Sequence, residues 1–78
     1  MKVKAIRHAD CWQVFFQSLE AGFGSVFVNE LSVQPTSNYV IIKGYGKRGS
    51  LVLLLTLRKE YYEGIEDRRI EEKEVVYE

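Results

Sequence analysis

The stretch Asp10-Cys11-Trp12-Gln13-Val14-Phe15-Phe16-Gln17-Ser18-Leu19-Glu20-Ala21, closed by Gly22, decides how the whole chain is read. Asp10 stands where a helix N-cap belongs, Gln13 follows three residues later, and Gly22 occupies the C′ position. Trp12, Phe15, Phe16 and Leu19 fall at i, i+3, i+4 and i+7, which sets an aromatic stripe on one helical face. The spacing predicts an amphipathic helix over 10–21. Its stripe reads as core packed on a sheet rather than as the lining of a ligand pocket.

The flanking segments supply that sheet. Residues 2–8 (KVKAIRH) alternate in part and suit an edge strand blunted by lysines. Residues 25–34 (SVFVNELSVQ) and 39–45 (YVIIKGY) read as strands joined by a turn at Pro35, Thr36, Ser37 and Asn38. Residues 51–59 (LVLLLTLRK) form a further strand, with Leu51, Leu53, Leu55 and Leu57 on one face and Val52, Leu54 and Thr56 on the other. The expected architecture is therefore α+β: one domain over 1–78, an antiparallel sheet of about four to five strands, and a single helix on one face. An alternative makes 51–63 helical, with Ser50 at its start and Gly64 at its end. The resulting β-α-β-β-α-β order resembles the ferredoxin-like fold.

In the α+β arrangement one helix covers one sheet face only. The other, with Val26, Val28, Val40, Ile42, Val52 and Leu54, would stay exposed in a monomer, and large exposed apolar patches mark interfaces. The expectation is a homo-oligomer, a homodimer first.

Charge is segregated along the chain although the net charge is zero. Residues 1–59 carry eight basic side chains against three acidic ones, and residues 60–78 carry three basic against eight acidic, so a +5 body adjoins a −5 end. The acidic end is expected to form a second hairpin, turning at Gly64–Asp67 and pairing Glu63 with Arg68 and Lys59 with Glu72. A helix or a free acidic tail are the other readings of 60–78. The chain has ample apolar and aromatic residues for a core, at 46% and 13%, so disorder is not expected. Cys11 is the only cysteine, which excludes an intramolecular disulfide and a multi-cysteine metal site and fits a reducing, cytoplasmic setting. No signal-peptide core is visible, and the longest apolar run, residues 51–55, is too short to span a bilayer. Glu-rich, Cys- and Met-poor composition matches the bias of proteins from hot environments.

Two groups of residues bear on chemistry. Gly44-Tyr45-Gly46-Lys47-Arg48-Gly49 matches G-x-G-x-x-G, and its strand–loop–strand setting resembles the phosphate-covering flap of protein kinases. The chain is too short for the remainder of a kinase. As structure, the motif is a hairpin turn in which glycines supply positive φ. As function, it presents a basic tip with an aromatic beside it: Lys47 and Arg48 for phosphates and Tyr45 for stacking on a base or sugar, a surface that Tyr39, Lys43 and Arg58 extend for binding nucleic acid. His8, Asp10 and Cys11 cluster where the first strand meets the expected helix, where exposed amides would favour a thiolate. Asp10 opposes that thiolate, and the group is too small for a metal site. The sequence reads best as a non-enzymatic interaction or assembly module without a cofactor, next as a nucleic-acid binder, and third as a cysteine-dependent enzyme.

Overall fold

Residues 12–18 form a strand, and the helix expected over 10–21 is replaced by a β-hairpin. The structure, a computed structural model, describes residues 2–18, 20 and 22–69. The chain runs through β1 (Lys2–Arg7), β2 (Trp12–Ser18), β3 (Gly22–Val28), β4 (Glu30–Pro35), β5 (Tyr39–Tyr45), β6 (Leu51–Arg58), a 3-10 turn at Lys59–Tyr61, and β7 (Tyr62–Asp67). These strands make two sheets: sheet A in the order β3-β2-β1-β7 and sheet B in the order β4-β5-β6. Neither carries a packed α-helix among the described residues, so the α+β expectation and its ferredoxin-like alternative both give way to a two-layer all-β fold.

The difference has a physical cause. A tight turn and a helix cap draw on the same residues. Gly22 has φ +77°, the conformation of a C′ glycine, but here it opens β3 opposite Ser18. Asp10 lies in the β1–β2 turn, where the His8 amide donates to the Cys11 carbonyl at 2.9 Å, and it caps nothing. Along β2, Trp12, Val14 and Phe16 face inward while Gln13, Phe15 and Gln17 face outward. Phe15 on the outer face completes the apparent helical stripe. The run of Trp, Val and Phe has the β-branched and aromatic character of a strand.

β1 is interior rather than an edge. It pairs antiparallel with β2, placing Val3 against Phe16 and Ala5 against Val14, and parallel with β7 on its other side. A register shift between Val3 and Ala5 accompanies Gly64, whose φ is +95°. β7 runs straight through 62–67, so the expected turn at 64–67 does not form. The partner expected for Lys59, Glu72, lies outside the described residues.

The segment 25–34 is divided between the sheets. It bends at Asn29, whose amide donates to the Tyr45 carbonyl at 2.8 Å, and the chain crosses from β3 in sheet A to β4 in sheet B. In sheet B, Leu31, Val33, Val40, Ile42, Leu53, Leu55 and Leu57 face inward. Val3, Val14 and Val28 from sheet A meet Val40, Ile42 and Leu57 from sheet B, and this is the core. Gly44 sits beneath Val28, where a side chain would not fit. The Arg7 guanidinium lies 5.2 Å from the Trp12 ring centre and closes one end of the inner layer. Among the described residues no helix is long and apolar enough to cross a membrane.

Candidate interaction surfaces

The structure divides the residues expected at an oligomer interface. Val28, Val40 and Ile42 are buried in the core and Val26 packs against it, because a second sheet covers the face that a single-sheet arrangement would leave bare. These four are removed from the interface. Val52 and Leu54 remain, 52% and 56% exposed, beside Leu51 at 51%. All three lie on β6, an edge strand of sheet B. Its pairing with β5 shifts between Gly44 and Tyr45, so Tyr45 faces Leu51 and Val52 is the extra residue of a bulge. The bulge explains why Leu51 leaves the inward face that Leu53, Leu55 and Leu57 share.

Strand alternation sends Tyr39, Ile41, Lys43 and Tyr45 of β5 to the outer face of sheet B. Arg58 is the cross-strand partner of Tyr39, and Leu54 is that of Lys43. Lys47 and Arg48 follow at the exposed tip, where the Gly49 amide donates to the Gly46 carbonyl at 3.0 Å and Gly49 has φ +78°. The turn thus uses its last glycine as the hairpin reading requires. The structure brings Lys43, Tyr45 and Arg58 onto the outer face of sheet B and places Lys47 and Arg48 at the hairpin tip beyond the end of β5. Acidic groups interrupt this surface: Glu30 is the partner of Tyr45, and Glu60 Oε1 lies 3.9 Å from Arg58 Nη1.

The His8–Cys11 group loses the setting that would have activated its thiol. Cys11 lies in the β1–β2 connection and not in the first turn of a helix, so aligned helical amides do not face it. His8 Nε2 and Gln13 Oε1 are 3.1 Å apart, and the His8 ring lies 6.2 Å from that of Phe27. Among the described residues, no three His, Cys, Asp or Glu side chains gather as they would around a metal ion.

A second surface was not read from the sequence. The outer face of sheet A presents Phe15 of β2 and Phe23, Ser25 and Phe27 of β3, with Ile6 of β1 buried on the same side. Phe23 and Phe27 are 70% and 61% exposed, and the Phe15 and Phe23 ring centres are 6.0 Å apart. The alternation Phe23, Ser25, Phe27 was the available signal, hidden by assigning residues 10–21 to a helix and beginning the next strand at Ser25.

At the end of β7, Glu66 and Asp67 are paired. Lys4 Nζ donates to Glu66 Oε1 at 3.3 Å, and Arg68 Nε donates to Glu66 Oε2. These hydrogen bonds, Arg68 first and Lys4 second, hold the Glu66 carboxyl below its ordinary range. Arg69 grips Asp67 through Nε and Nη2, at 3.0 and 2.6 Å, and lowers its pKa to about 2. Burial raises the Tyr62 phenol.

Comparison with known proteins finds no matching family model, no significantly similar curated protein and no significantly similar solved structure.

Proposed function

We propose that the protein is a small non-enzymatic assembly module that self-associates through β6. The observation that carries this reading is the unguarded edge. From Leu51 to Leu57 the strand has no charge and no proline; of the other edges, β4 has Glu30 and Pro35 and β7 has Glu63, Glu66 and Asp67, while β3, equally without charge or proline, is weakened as a pairing edge by Gly22 and Gly24. Edge strands of monomeric proteins are commonly blunted by such residues, because a bare edge offers unpaired N–H and C=O groups to another chain. A two-fold pairing of β6 with its copy centred on Leu54 sets Leu54 against Leu54, Val52 against Thr56 and Arg58 against Ser50. No like charges meet, and two three-stranded sheets become one of six. The single cysteine suits such a module to the reducing cytoplasm.

Sedimentation velocity at micromolar concentration tests the assignment. The native chain is expected to run as a dimer and Leu54→Lys as a monomer. Because Leu54 is more than half exposed, the variant should keep its unfolding free energy per chain within about 0.5 kcal/mol. A native chain that sediments as a monomer at every concentration defeats the proposal.

A second reading is supported by one observation: Tyr39, Lys43 and Tyr45 share the outer face of sheet B with Arg58. Tyrosines spaced along a strand and flanked by cations suit the stacking and phosphate contacts of single-stranded nucleic acid. Fluorescence anisotropy with labelled single-stranded DNA and RNA should show binding that falls steeply with salt. Replacing Lys47 and Arg48 together by alanine should reduce both the affinity and the salt slope, the slope by up to about one unit for each phosphate that is no longer neutralised. Absence of binding at low salt removes this reading and leaves the first untouched.

A further inference from the structure

Pairing through β6 brings together parts of the sheet B surface that lie far apart in one chain. Tyr39 and Arg58 stand opposite each other at one end of the β5–β6 pair, and Tyr45 leads into the Lys47–Arg48 tip at the other. Tyr39 and Tyr45 are the two ends of β5, about 20 Å apart. Lys59 follows Arg58 at the first end, where its amide donates to the Asn38 carbonyl at 3.2 Å, and these residues line a depression with Ser37, Tyr39 and Glu60. Glu60, whose Oε1 is 3.9 Å from Arg58 Nη1, is the carboxylate of this depression. At the other end the Gly46 amide donates to the Ser50 carbonyl at 2.9 Å, which closes the hairpin and holds the tip at the start of β6.

The pairing centred on Leu54 sets Arg58 of one copy opposite Ser50 of the other, and the two-fold repeats this at the far end of the joined sheet. Neighbouring strands lie about 5 Å apart, and Arg48 is two residues before Ser50, at most about 7 Å further. The cations of one copy's depression thus adjoin those of the second copy's tip: Arg58 and Lys59 from the first, Lys47 and Arg48 from the second, against Glu60. Tyr39 of the first copy and Tyr45 of the second flank them, three strand spacings or about 14 Å apart across the sheet. Glu30, the partner of Tyr45 on β4, lies one strand further from the junction. We infer that two copies build a single-stranded nucleic-acid site at each end of the six-stranded sheet, with phosphates at the four cations and bases on the two tyrosines. The inference rests on assembly through β6, and it replaces a site along one chain by a site shared between two. Charge selects the occupant: four converging cations repel one another until a polyanion neutralises them, and the tyrosines favour one that carries bases. Binding and pairing use the same arrangement, so each strengthens the other.

Complementation between two variants tests it. Lys47→Ala with Arg48→Ala strips the tip, and Arg58→Ala with Lys59→Ala strips the depression; all four positions are exposed. Either variant alone keeps two cations in every site, and its salt slope for a fluorescent oligothymidine should fall by about 1.4, at about 0.7 for each single-strand phosphate contact. The two variants are then refolded together from urea. About half of the dimers become mixed, each with one complete site and one stripped of all four cations, so about a quarter of the native sites should regain native affinity and salt slope. A site confined to one chain recovers nothing on mixing, because every chain lacks two of its cations. Leu54→Lys supplies a second arm: as a monomer it should bind more weakly than the native chain despite its added charge, and binding as tight as the native chain's overturns the shared site. No recovery on mixing overturns it too. If those same samples sediment as dimers, assembly through β6 stands, and if they sediment as monomers it falls as well. Inorganic polyphosphate that binds as tightly as oligothymidine of equal charge overturns the assignment to nucleic acid.

Discussion

Truncating Ile42 to alanine is expected to lower the unfolding free energy by about 2–5 kcal/mol, read as a fall in the urea midpoint at constant m-value. Ile42 is fully buried at the centre of β5, with Val33 and Leu55 as its inward cross-strand partners. Val3, Val14 and Val28 of sheet A belong to the same cluster, so the removed atoms leave space between two rigid layers. A chain of 78 residues has a total stability of about 4–12 kcal/mol, and a loss at the upper end of the expected range leaves little folded protein at 37 °C. Thr56→Ala, on the exposed outer face of the neighbouring strand, provides the control and should change stability by about 0.5 kcal/mol or less. The result also separates the two architectures. In a single sheet covered by one helix, Ile42 belongs to the uncovered face, and its truncation would weaken association between chains while sparing each chain. A variant that keeps its urea midpoint but changes its sedimentation would contradict the two-layer fold.

Period-two patterning made most of the strands legible. Residues 39–45 correspond to β5, 51–59 to β6 within a residue, and 2–8 to β1, since apolar alternation bounded by turn residues has few other solutions. What failed was assignment where both faces of a strand carry aromatic groups. β2 places Trp12 and Phe16 inward and Phe15 outward, and three aromatics within five residues fit a helical stripe as readily as a two-sided strand. The consequence reached the other strands. A helix on one face leaves Val28, Val40 and Ile42 to an interface, although a second sheet buries them.

Partner choice was less legible than strand position. The parallel return of β7 onto β1 is a contact between sequence-distant segments, and local charge complementarity around Gly64 favoured a hairpin instead. Lys4, Glu66 and Arg68 show how the charge segregation is used: β7 brings a carboxylate from the acidic end to a lysine near the N-terminus. The strip on sheet B was readable because it depends on alternation within β5 and on one hairpin tip, both local features. The aromatic face of sheet A was not, because it requires Phe15 and Phe23 to be neighbours across a β2–β3 pairing.

Gly44→Ala is the substitution that tests how closely the two sheets approach. A Cβ at this position would lie 2.6 Å from Val28 Cγ1 and 3.2 Å from both Val28 Cβ and Leu53 Cβ. The nearest atoms belong to short side chains on paired strands, so relief requires a shift of β3, β5 or β6. The expected destabilisation is about 1–3 kcal/mol, the usual cost of overpacking a well-filled core, and it should appear in the same urea titration. Gly24→Ala supplies the comparison: its Cβ would meet only Phe16 Cδ2 at 3.8 Å, an ordinary contact, and φ there is not positive. Without a clash, the reduced freedom of the unfolded chain should leave that variant as stable as the native protein or up to about 1 kcal/mol more stable. A double-mutant cycle identifies the obstacle. Val28→Ala removes Cγ1 and opens a cavity, so each single variant is destabilised. Together the added methyl fills part of the vacated volume, and the combined destabilisation should fall short of the sum by about 1 kcal/mol or more. Additivity to within about 0.5 kcal/mol would show that Val28 does not rest on Gly44.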